Sequence, residues 1–220
     1  MPGARGLAVE ASIMKLLILG ASGPTGRNLL GQGLNAGHDV TALVRNANRL
    51  TITRPRLTTV IGDATDTMVL EKAVSGKDAV LSALGAGNSL RSDVASRAVA
   101  ALIPALKAQA VKRIVYLSAF GVGASFADAS PIQKLAYKTL LRGIFADKAK
   151  ADAMLRESGL DWTLVYPTLL TNGPRTGSYR AGEHLAMKGM ARISRADVAD
   201  FMLAQLSTNE WVNRTAVISY

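Results

Sequence analysis

The chain alternates short apolar runs with longer segments whose apolar residues recur at helical spacing. Short apolar runs bounded by polar residues and glycine predict strands, and apolar residues three and four positions apart predict helices. The predicted strands cover residues 15–19, 39–44, 57–62, 78–84, 113–118, 161–167 and 215–219. The predicted helices cover residues 25–36, 66–74, 92–110 (kinked at Pro104), 131–158 (one or two helices) and 194–207, where Ser194 and Asp197 form an S-x-x-D capping box.

Strands that alternate with helices along a chain predict a parallel sheet covered by helices on both faces. We therefore expect an α/β fold, a single-domain Rossmann-type doubly wound parallel sheet flanked by helices. Residues 13–220 should form this domain and include the acceptor site, because no linker, repeat or low-complexity segment divides them. Residues 1–12 lack the apolar core of a signal peptide and are expected to be a disordered leader.

Composition narrows the classes of function. The chain has no cysteine and only two histidines, His38 and His184, so thiolate sites are excluded and no metal site is predicted. No apolar run approaches the ~20 residues that span a bilayer, and we expect a cytoplasmic protein without a membrane partner. The net charge of +10 favours anionic ligands, but no block of like charges occurs, so no nucleic-acid partner is predicted.

The stretch "LLILGASGPTGRNLL", residues 16–30, carries three glycines between the first strand and the first helix. G-x-x-G-x-x-G in this context is typical of a dinucleotide-binding loop. Gly20 permits the sharp turn out of the strand, Gly23 removes a Cβ where a pyrophosphate would touch the backbone, and Gly26 lets the helix approach the sheet. A glycine-rich turn without a ligand is the alternative interpretation.

The residues between these glycines also suit phosphate binding. The N-terminus of the helix presents unpaired N–H groups and a partial positive charge to an anion. Ser22 and Thr25 can add hydroxyl hydrogen bonds, and Pro24 suits the first helical turn. We therefore include Ser22, Pro24 and Thr25 in the predicted cofactor site.

The end of the second strand indicates which dinucleotide is bound. An acidic residue there would bind the ribose 2′-hydroxyl of NAD, but this chain has "LVRNANRL", with Arg45 at the strand end and Arg49 four residues later. A guanidinium pairs with phosphate through two parallel charge-assisted hydrogen bonds. The predicted cofactor is therefore NADPH (NADP+), and two merely solvated arginines are the alternative.

Five segments together resemble a known family: "LGASGPTGRNLL", "VTALVRNANRL", "VIGDATD", "SAF" and "LRESGLDWTLVYP". They are similar to the atypical short-chain dehydrogenases of the NAD(P)H-binding, NmrA-like group. Within that group they most resemble the biliverdin-IXβ reductase/flavin reductase family. The likeness covers nearly all of residues 14–218. The glycine loop is shared by many families, whereas the arginine pair and the "LRESGL" block are more specific.

The resemblance implies cofactor contacts at the ends of several strands. Asp63 and Ser118 each have an alternative role, since Asp63 can cap a turn and the Ser118 hydroxyl can satisfy backbone groups. The residues implied are Gly20, Ser22, Gly23, Thr25 and Gly26 at the phosphates, Arg45 and Arg49 at the 2′-phosphate, Asp63 and Ala64 beside the adenine, Leu84, Gly85 and Ala86 along the cofactor, Ser118 and Ala119 near the nicotinamide, and Pro167, Leu169 and Leu170 on its other side.

The chain departs from ordinary short-chain dehydrogenases in its catalytic residues. Those enzymes use Tyr-x-x-x-Lys, and no tyrosine of this chain has a lysine four residues later. In the alignment on "LRESGL", Lys148 occupies the lysine position and Ile144 the tyrosine position. Ser118, near the nicotinamide, and Lys148, as a ribose contact, are the candidate catalytic residues. The proton donor that ketone reduction needs is missing.

A missing proton donor is compatible with an acceptor that takes a hydride into a conjugated system, with the proton from solvent. We expect an NADPH-dependent reductase of a flavin or a linear tetrapyrrole, acting on a small aromatic or conjugated molecule as a monomer or weak homodimer. Leu169 stands where the family often has histidine, which argues against specificity for biliverdin. Phe120 and Tyr179 could stack on the acceptor or pack in the core. A reductase or epimerase of a small carbonyl compound and a non-catalytic NADP(H) sensor are the alternatives.

Overall fold

The computed structural model describes residues 12–50, 52–85, 93–187 and 191–220. Its centre is an eight-stranded sheet in the order β3-β2-β1-β4-β5-β6-β10-β8. All neighbouring strands in this sheet are parallel except β8, which is antiparallel to β10. A second, two-stranded parallel sheet pairs β7 with β9. The strands are β1 (Lys15–Leu19), β2 (Asp39–Val44), β3 (Leu57–Ile61), β4 (Ala79–Ser82), β5 (Arg113–Leu117), β6 (Asp161–Pro167), β7 (Leu169–Thr171), β8 (Arg180–Gly182), β9 (Arg192–Ser194) and β10 (Arg214–Ser219).

Six α-helices lie among the described residues, and they cover both faces of the large sheet. Helices α1 and α6 pack together on one face, while α2, α3 and α5 pack on the other. The helices are α1 (Pro24–Asn35), α2 (Thr67–Val74), α3 (Val94–Ala108), α4 (Pro131–Lys138), α5 (Arg142–Arg156) and α6 (Arg195–Ala204).

Strand β1 shows how the sheet separates two apolar cores. Leu17 and Leu19 face the core under α2, α3 and α5, whereas Leu16 and Ile18 face the core under α1 and α6. Successive side chains of a strand point to opposite faces, so a central strand buried on both sides must be apolar throughout. All four leucine and isoleucine side chains are fully buried.

These observations confirm the predicted Rossmann-type α/β fold. Segment 131–158 forms two helices, and α3 continues through Pro104 to its end at Ala108. The short strands β7, β8 and β9 were not predicted, because each has only three residues and β8 lies in a segment, residues 171–182, with the composition of a loop. Residues 1–11 of the expected leader lie outside the described residues.

The strand register brings the predicted site residues to one edge of the sheet. Leu19 pairs with Leu43 of β2 and with Ser82 of β4, and Leu117 of β5 pairs with Val165 of β6. The residues that follow these strand ends therefore lie side by side along the carboxyl edge, where open α/β sheets bind their ligands.

Candidate active site

Two glycines of the loop after β1 are required by the packing of the protein itself. Gly20 has φ +78°, and a Cβ there would lie 2.6 Å from the carbonyl oxygen of Ala83. A Cβ on Gly26 would overlap the backbone of Gly20 and Ala21. Both positions therefore exclude a side chain whether or not a ligand is bound.

Gly23 differs from these two glycines. It has φ −78°, which any residue adopts, and a Cβ there would lie 3.3 Å from the Gly20 carbonyl oxygen. Gly23 is the N-cap of α1 and has no side chain that could cap the helix. Pro24 follows at the first helical position, and the first turn contains no acidic residue. Thr25 is buried. The N–H groups of this turn are thus left available to an anion.

Beside the loop lies a cavity of about 410 Å³ lined by Ser22, Arg45, Asn46 and Arg49. Arg45 and Arg49 are exposed, and no acidic residue lines the cavity. The structure therefore brings the predicted arginine pair and one serine of the glycine loop to a single basic pocket. Guanidinium groups in this arrangement suit a phosphate group.

Arg27 connects the two segments that line this pocket, the glycine loop after β1 and the residues after β2. The sequence patterns did not identify this residue. Its Nε donates to the Ser22 carbonyl oxygen over 3.2 Å, and its Nη2 donates to the Arg49 carbonyl oxygen over 3.3 Å. Asn46 stabilises the turn between Arg45 and Arg49, here called the arginine turn, because its Oδ1 accepts a hydrogen bond from the Asn48 N–H over 2.9 Å. The sequence signal that could have identified Arg27 is a basic residue within one helical turn of the glycine loop.

The residues predicted along the adenine and the middle of the cofactor follow β3 and β4. Asp63 Oδ1 accepts from the N–H and the hydroxyl of Thr65, at 2.8 and 2.9 Å. The Thr65 hydrogen bonds, first the backbone one, lower the pKa of the Asp63 carboxyl. Asp63 therefore does cap a turn, as its alternative role required, and an adenine contact stays a prediction.

The other residues that are predicted to lie along the adenine and the middle of the cofactor differ in their burial. Ala64 and Leu84 are partly buried against the core under α2 and α3. Gly85 is exposed, and a Cβ there would meet no atom within 4 Å. Ala86 lies outside the described residues.

The ends of β5 and β6 are held together by backbone hydrogen bonds. Ser118 N–H donates to the Val165 carbonyl oxygen over 2.9 Å, and Phe120 N–H donates to the Pro167 carbonyl oxygen over 3.1 Å. The predicted nicotinamide residues of the two strands, which include Ala119 between these bonds, are therefore neighbours. Leu169 is 55% exposed.

Leu170 and the two aromatic candidates for acceptor stacking belong to the cores. Leu170 packs against the core under α1 and α6. Phe120 is buried in the other core. Tyr179 packs edge-on against Phe201, and its hydroxyl donates to Asp200 over 2.9 Å. Core packing is therefore the observed role of Phe120 and Tyr179.

Ser118 and Lys148 both turn toward the protein interior. The Ser118 hydroxyl donates to Asp152 Oδ2 over 2.8 Å, and the Tyr166 hydroxyl donates to the same oxygen over 2.6 Å. Lys148 Nζ donates to the Leu117 carbonyl oxygen over 3.1 Å. Sequence reasoning missed Asp152, because its partners are distant in the chain.

Burial shifts the pKa values in this cluster. It raises the pKa of the Asp152 carboxyl, although hydrogen bonds from Tyr166 and Ser118 and the charges of Lys148 and Arg156 oppose that shift. Burial also lowers the pKa of Lys148, against the nearby carboxylates. It raises the pKa of Tyr166 well above its ordinary value. The Tyr166 hydroxyl therefore stays protonated at neutral pH.

The described residues contain neither a candidate metal site nor a candidate membrane span. Across the described ranges, no group of three or more histidine, cysteine or acidic side chains could hold a metal ion. No helix in the same part of the chain is both long and apolar enough to cross a bilayer.

The carboxyl-edge position, the glycine loop and the basic cavity are together typical of a dinucleotide-binding protein. A family model described as NAD(P)H-binding matches residues 20–209, and the chain belongs to this family. The resemblance to the atypical short-chain dehydrogenases of the NAD(P)H-binding group is thereby confirmed.

Two bacterial relatives match nearly the whole chain. The uncharacterized protein YwnB of Bacillus subtilis is 30% identical over 94% of this chain and 99% of its own length. The uncharacterized sugar epimerase YhfK of the same organism is 27% identical over 91% of this chain and 92% of its own length.

Solved structures share the fold over nearly the whole chain. A short-chain dehydrogenase/reductase from Veillonella parvula, solved in complex with NADP, has a TM-score of 0.80 and 21% identity, covering 95% of both chains. The anaerobilin reductase ChuY from Escherichia coli O157:H7 has a TM-score of 0.76 and 23% identity, covering 93% of this chain and 96% of its own. At these identities the likeness establishes the fold alone.

Proposed function

We propose that this protein is an NADPH-dependent reductase that transfers a hydride to a conjugated acceptor such as a flavin or a linear tetrapyrrole. Membership of the NAD(P)H-binding family supports an oxidoreductase that uses a nicotinamide cofactor. The likeness to an anaerobilin reductase supports a tetrapyrrole among the acceptors. The cytoplasm would supply the NADPH, and the protein would act as a monomer or weak homodimer.

The preference for NADPH over NADH rests on the cavity beside the glycine loop. Its lining includes two guanidinium groups and no carboxylate, which suits a 2′-phosphate and offers no acid to a free 2′-hydroxyl. The NADP bound by the Veillonella structure supports the same choice. The α1 N-terminus and Ser22 would hold the pyrophosphate, and Asp63 and Ala64 would lie beside the adenine.

The acceptor class rests on one observation: no tyrosine of the chain stands four residues before a lysine. Ile144 stands one turn before Lys148 on α5, and Tyr116 and Tyr166 are each only 1% exposed. A ketone needs an acid beside its oxygen, whereas a conjugated ring system delocalises the incoming electron pair. The missing acid therefore favours a flavin-like or tetrapyrrole acceptor.

NADPH, when bound, supplies the hydride, and the residues of this chain orient the two reactants. Ser118 and Ala119 would line one side of the nicotinamide, and Pro167, Leu169 and Leu170 the other. Leu84 and Gly85 would follow the cofactor between its two ends, and Lys148 would contact the ribose by turning away from the Leu117 carbonyl oxygen, to which its Nζ donates in this structure. The exposed Leu169 offers an apolar surface to a flat acceptor and helps to exclude water from it.

A reductase or epimerase of a small carbonyl compound is the second candidate. The observation that favours it is the 27% identity to a protein named as a sugar epimerase. A non-catalytic NADP(H) sensor is the third candidate, and it would bind the cofactor without consuming it.

One assay separates the three candidates. NADPH consumption is measured with FMN, riboflavin, biliverdin and a panel of ketones and sugars. We expect turnover with at least one conjugated acceptor and none with the carbonyl compounds. Turnover of carbonyl compounds alone would support the second candidate, and NADPH binding without any turnover would support the third.

A further inference from the structure

Asp152 is a carboxyl group buried directly behind the predicted nicotinamide site. It lies on α5 and is 0% exposed, and its Oδ2 accepts hydrogen bonds from Ser118 and Tyr166. Its Oδ1 is buried and has no hydrogen-bond partner in the part of the chain that the structure describes. A buried acidic side chain that is only half satisfied is costly, so its retention calls for a role.

We propose that Asp152 is a positioning residue for the nicotinamide. Its carboxylate accepts a hydrogen bond from the Ser118 hydroxyl, which leaves Ser118 Oγ to act as a hydrogen-bond acceptor toward the cofactor. This inference rests on the proposed function, which places Ser118 beside the nicotinamide. In that arrangement Ser118 Oγ would accept a hydrogen bond from the N–H of the nicotinamide carboxamide.

Protonation of Asp152 on Oδ2, the oxygen that Ser118 contacts, would reverse the arrangement. A protonated carboxyl can donate to Ser118 Oγ, and the Ser118 hydroxyl then points its own proton away from Asp152. Ser118 would present a donor where the bound carboxamide presents another donor. The state of one buried carboxyl thereby decides whether this contact is favourable.

The surroundings of Asp152 allow both states. Burial raises the pKa of the Asp152 carboxyl above its ordinary value. Lys148 and Arg156 of the same helix and the hydroxyls of Tyr166 and Ser118 stabilise its ionised form.

Two further groups of this cluster complete the surroundings. Tyr116 of β5, whose hydroxyl is buried without a partner, faces the charges of Asp152 and of Asp147. Burial raises the pKa of Tyr116 far above neutrality, so the Tyr116 hydroxyl stays protonated while Asp152 titrates.

The test measures the dissociation constant of NADH across pH by fluorescence, without any turnover, because NADH lacks the 2′-phosphate whose own titration at about pH 6 would add a second pH dependence. For the wild type we expect binding to tighten about three- to tenfold as pH rises through one midpoint, the value of one neutral hydrogen bond. Asp152→Asn should bind with the tight value at every pH, because its carbonyl oxygen still accepts from Ser118. Asp152→Ala and Ser118→Ala should bind with the weak value at every pH.

Tyr166→Phe gives a prediction that a merely structural role does not make. It removes one hydrogen bond to the carboxylate but leaves Ser118 in contact with it, so the midpoint should move to higher pH with the amplitude retained. The carboxyl carbon resonance of Asp152 in the cofactor-free protein should follow the same midpoints. This second readout stands if Asp152→Ala fails to fold.

The outcomes separate this inference from the proposed function. Wild-type NADH binding without pH dependence, or pH dependence of NADH binding that persists in Ser118→Ala, would overturn the role of Asp152 and leave the proposed function intact. No NADPH binding by the wild type would contradict both. NADH binding with the expected pH behaviour but no reductase activity would contradict the proposed function alone.

Discussion

The Arg27 guanidinium donates a hydrogen bond to the carbonyl oxygen of Arg49 over 3.3 Å, and a second one to the carbonyl oxygen of Ser22. One side chain therefore fastens the arginine turn after β2 to the glycine loop after β1. The pyrophosphate and 2′-phosphate groups of a bound NADPH would contact these two segments. A fixed distance between the segments pre-organises the pocket and reduces the cost of binding.

Arg45→Ala should weaken NADPH binding by at least about tenfold and leave NADH binding nearly unchanged. A charge-assisted hydrogen bond contributes roughly 1.5–3 kcal/mol, and NADH lacks the phosphate that receives it. Titration of both cofactors by fluorescence measures the effect. Arg54→Ala is the matched control, because Arg54 contacts Asn35 outside the cavity. An equal loss of affinity for the two cofactors would refute the 2′-phosphate role.

Gly23→Val should abolish NADPH binding while the fold stays largely intact. A Cβ at Gly23 would lie 3.3 Å from the Gly20 carbonyl oxygen, a tight contact that a shift of a few tenths of an ångström relieves, and it would occupy the place of the pyrophosphate. Circular dichroism checks the fold, and cofactor titration checks binding. Gly31→Val is the control in the same helix, since a Cβ there meets no atom within 4 Å. Normal NADPH binding by Gly23→Val would mean that the loop is a plain turn.

Ser118→Ala and Lys148→Ala should each lower kcat by no more than about 100-fold, because both residues position reactants. An essential general acid would instead cost about 10²–10⁴-fold and would impose its pKa on the rate. The measurement is kcat across pH with a flavin as the acceptor. Complete loss of turnover in Ser118→Ala, with NADPH still bound, would show that its hydroxyl is indispensable to the chemistry.

Asp197→Asn should lower the free energy of unfolding at pH 7 by about 1.5–3 kcal/mol. The Asp197 carboxylate is buried, and it accepts from the N–H groups of Thr176 and Gly177 and from the hydroxyl of Tyr220. Burial alone would raise the pKa of this carboxyl, but the hydrogen bonds, led by Tyr220, prevail and lower it.

A depressed pKa in the folded state stabilises the protein above the unfolded value of about 3.9. This stability is lost as pH falls through the folded value. The difference between wild type and Asp197→Asn in urea unfolding should therefore shrink in acid. Asp93→Asn is the control, because the Asp93 side chain is largely exposed. A difference that is constant with pH would contradict the role of the charge.

The local pattern predicted the large strands, the helices and the glycine loop, because their periodicity and turn residues lie within a few positions of one another. The capping box of α6 was half right. Asp197 N–H does donate to Ser194 Oγ over 3.0 Å, but the Ser194 N–H donates to the Tyr220 hydroxyl instead of to Asp197. The Asp197 carboxylate instead accepts hydrogen bonds from residues that are distant in the chain, which no local pattern reveals.

The partners of Ser118 could not be predicted for the same reason. Whether Asp152 or a neighbouring residue of α5 meets β5 depends on how the helix is rotated on the sheet. That rotation is fixed by apolar contacts such as those of Leu155, which is fully buried in the core under α5. The short strands β7, β8 and β9 likewise form through tertiary pairing, since three residues carry no readable period.

The most direct test of hydride transfer is the stoichiometry of NADPH oxidation and acceptor reduction without oxygen. Purified protein is mixed with NADPH and with FMN or biliverdin under anaerobic conditions, and the absorbances of cofactor and acceptor are followed together. The proposed function predicts that one acceptor is reduced for each NADPH consumed, at a rate proportional to protein concentration and slowed at limiting NADPH by Arg45→Ala. Tight binding of NADPH with no change in either absorbance, for every conjugated acceptor tried, would contradict it.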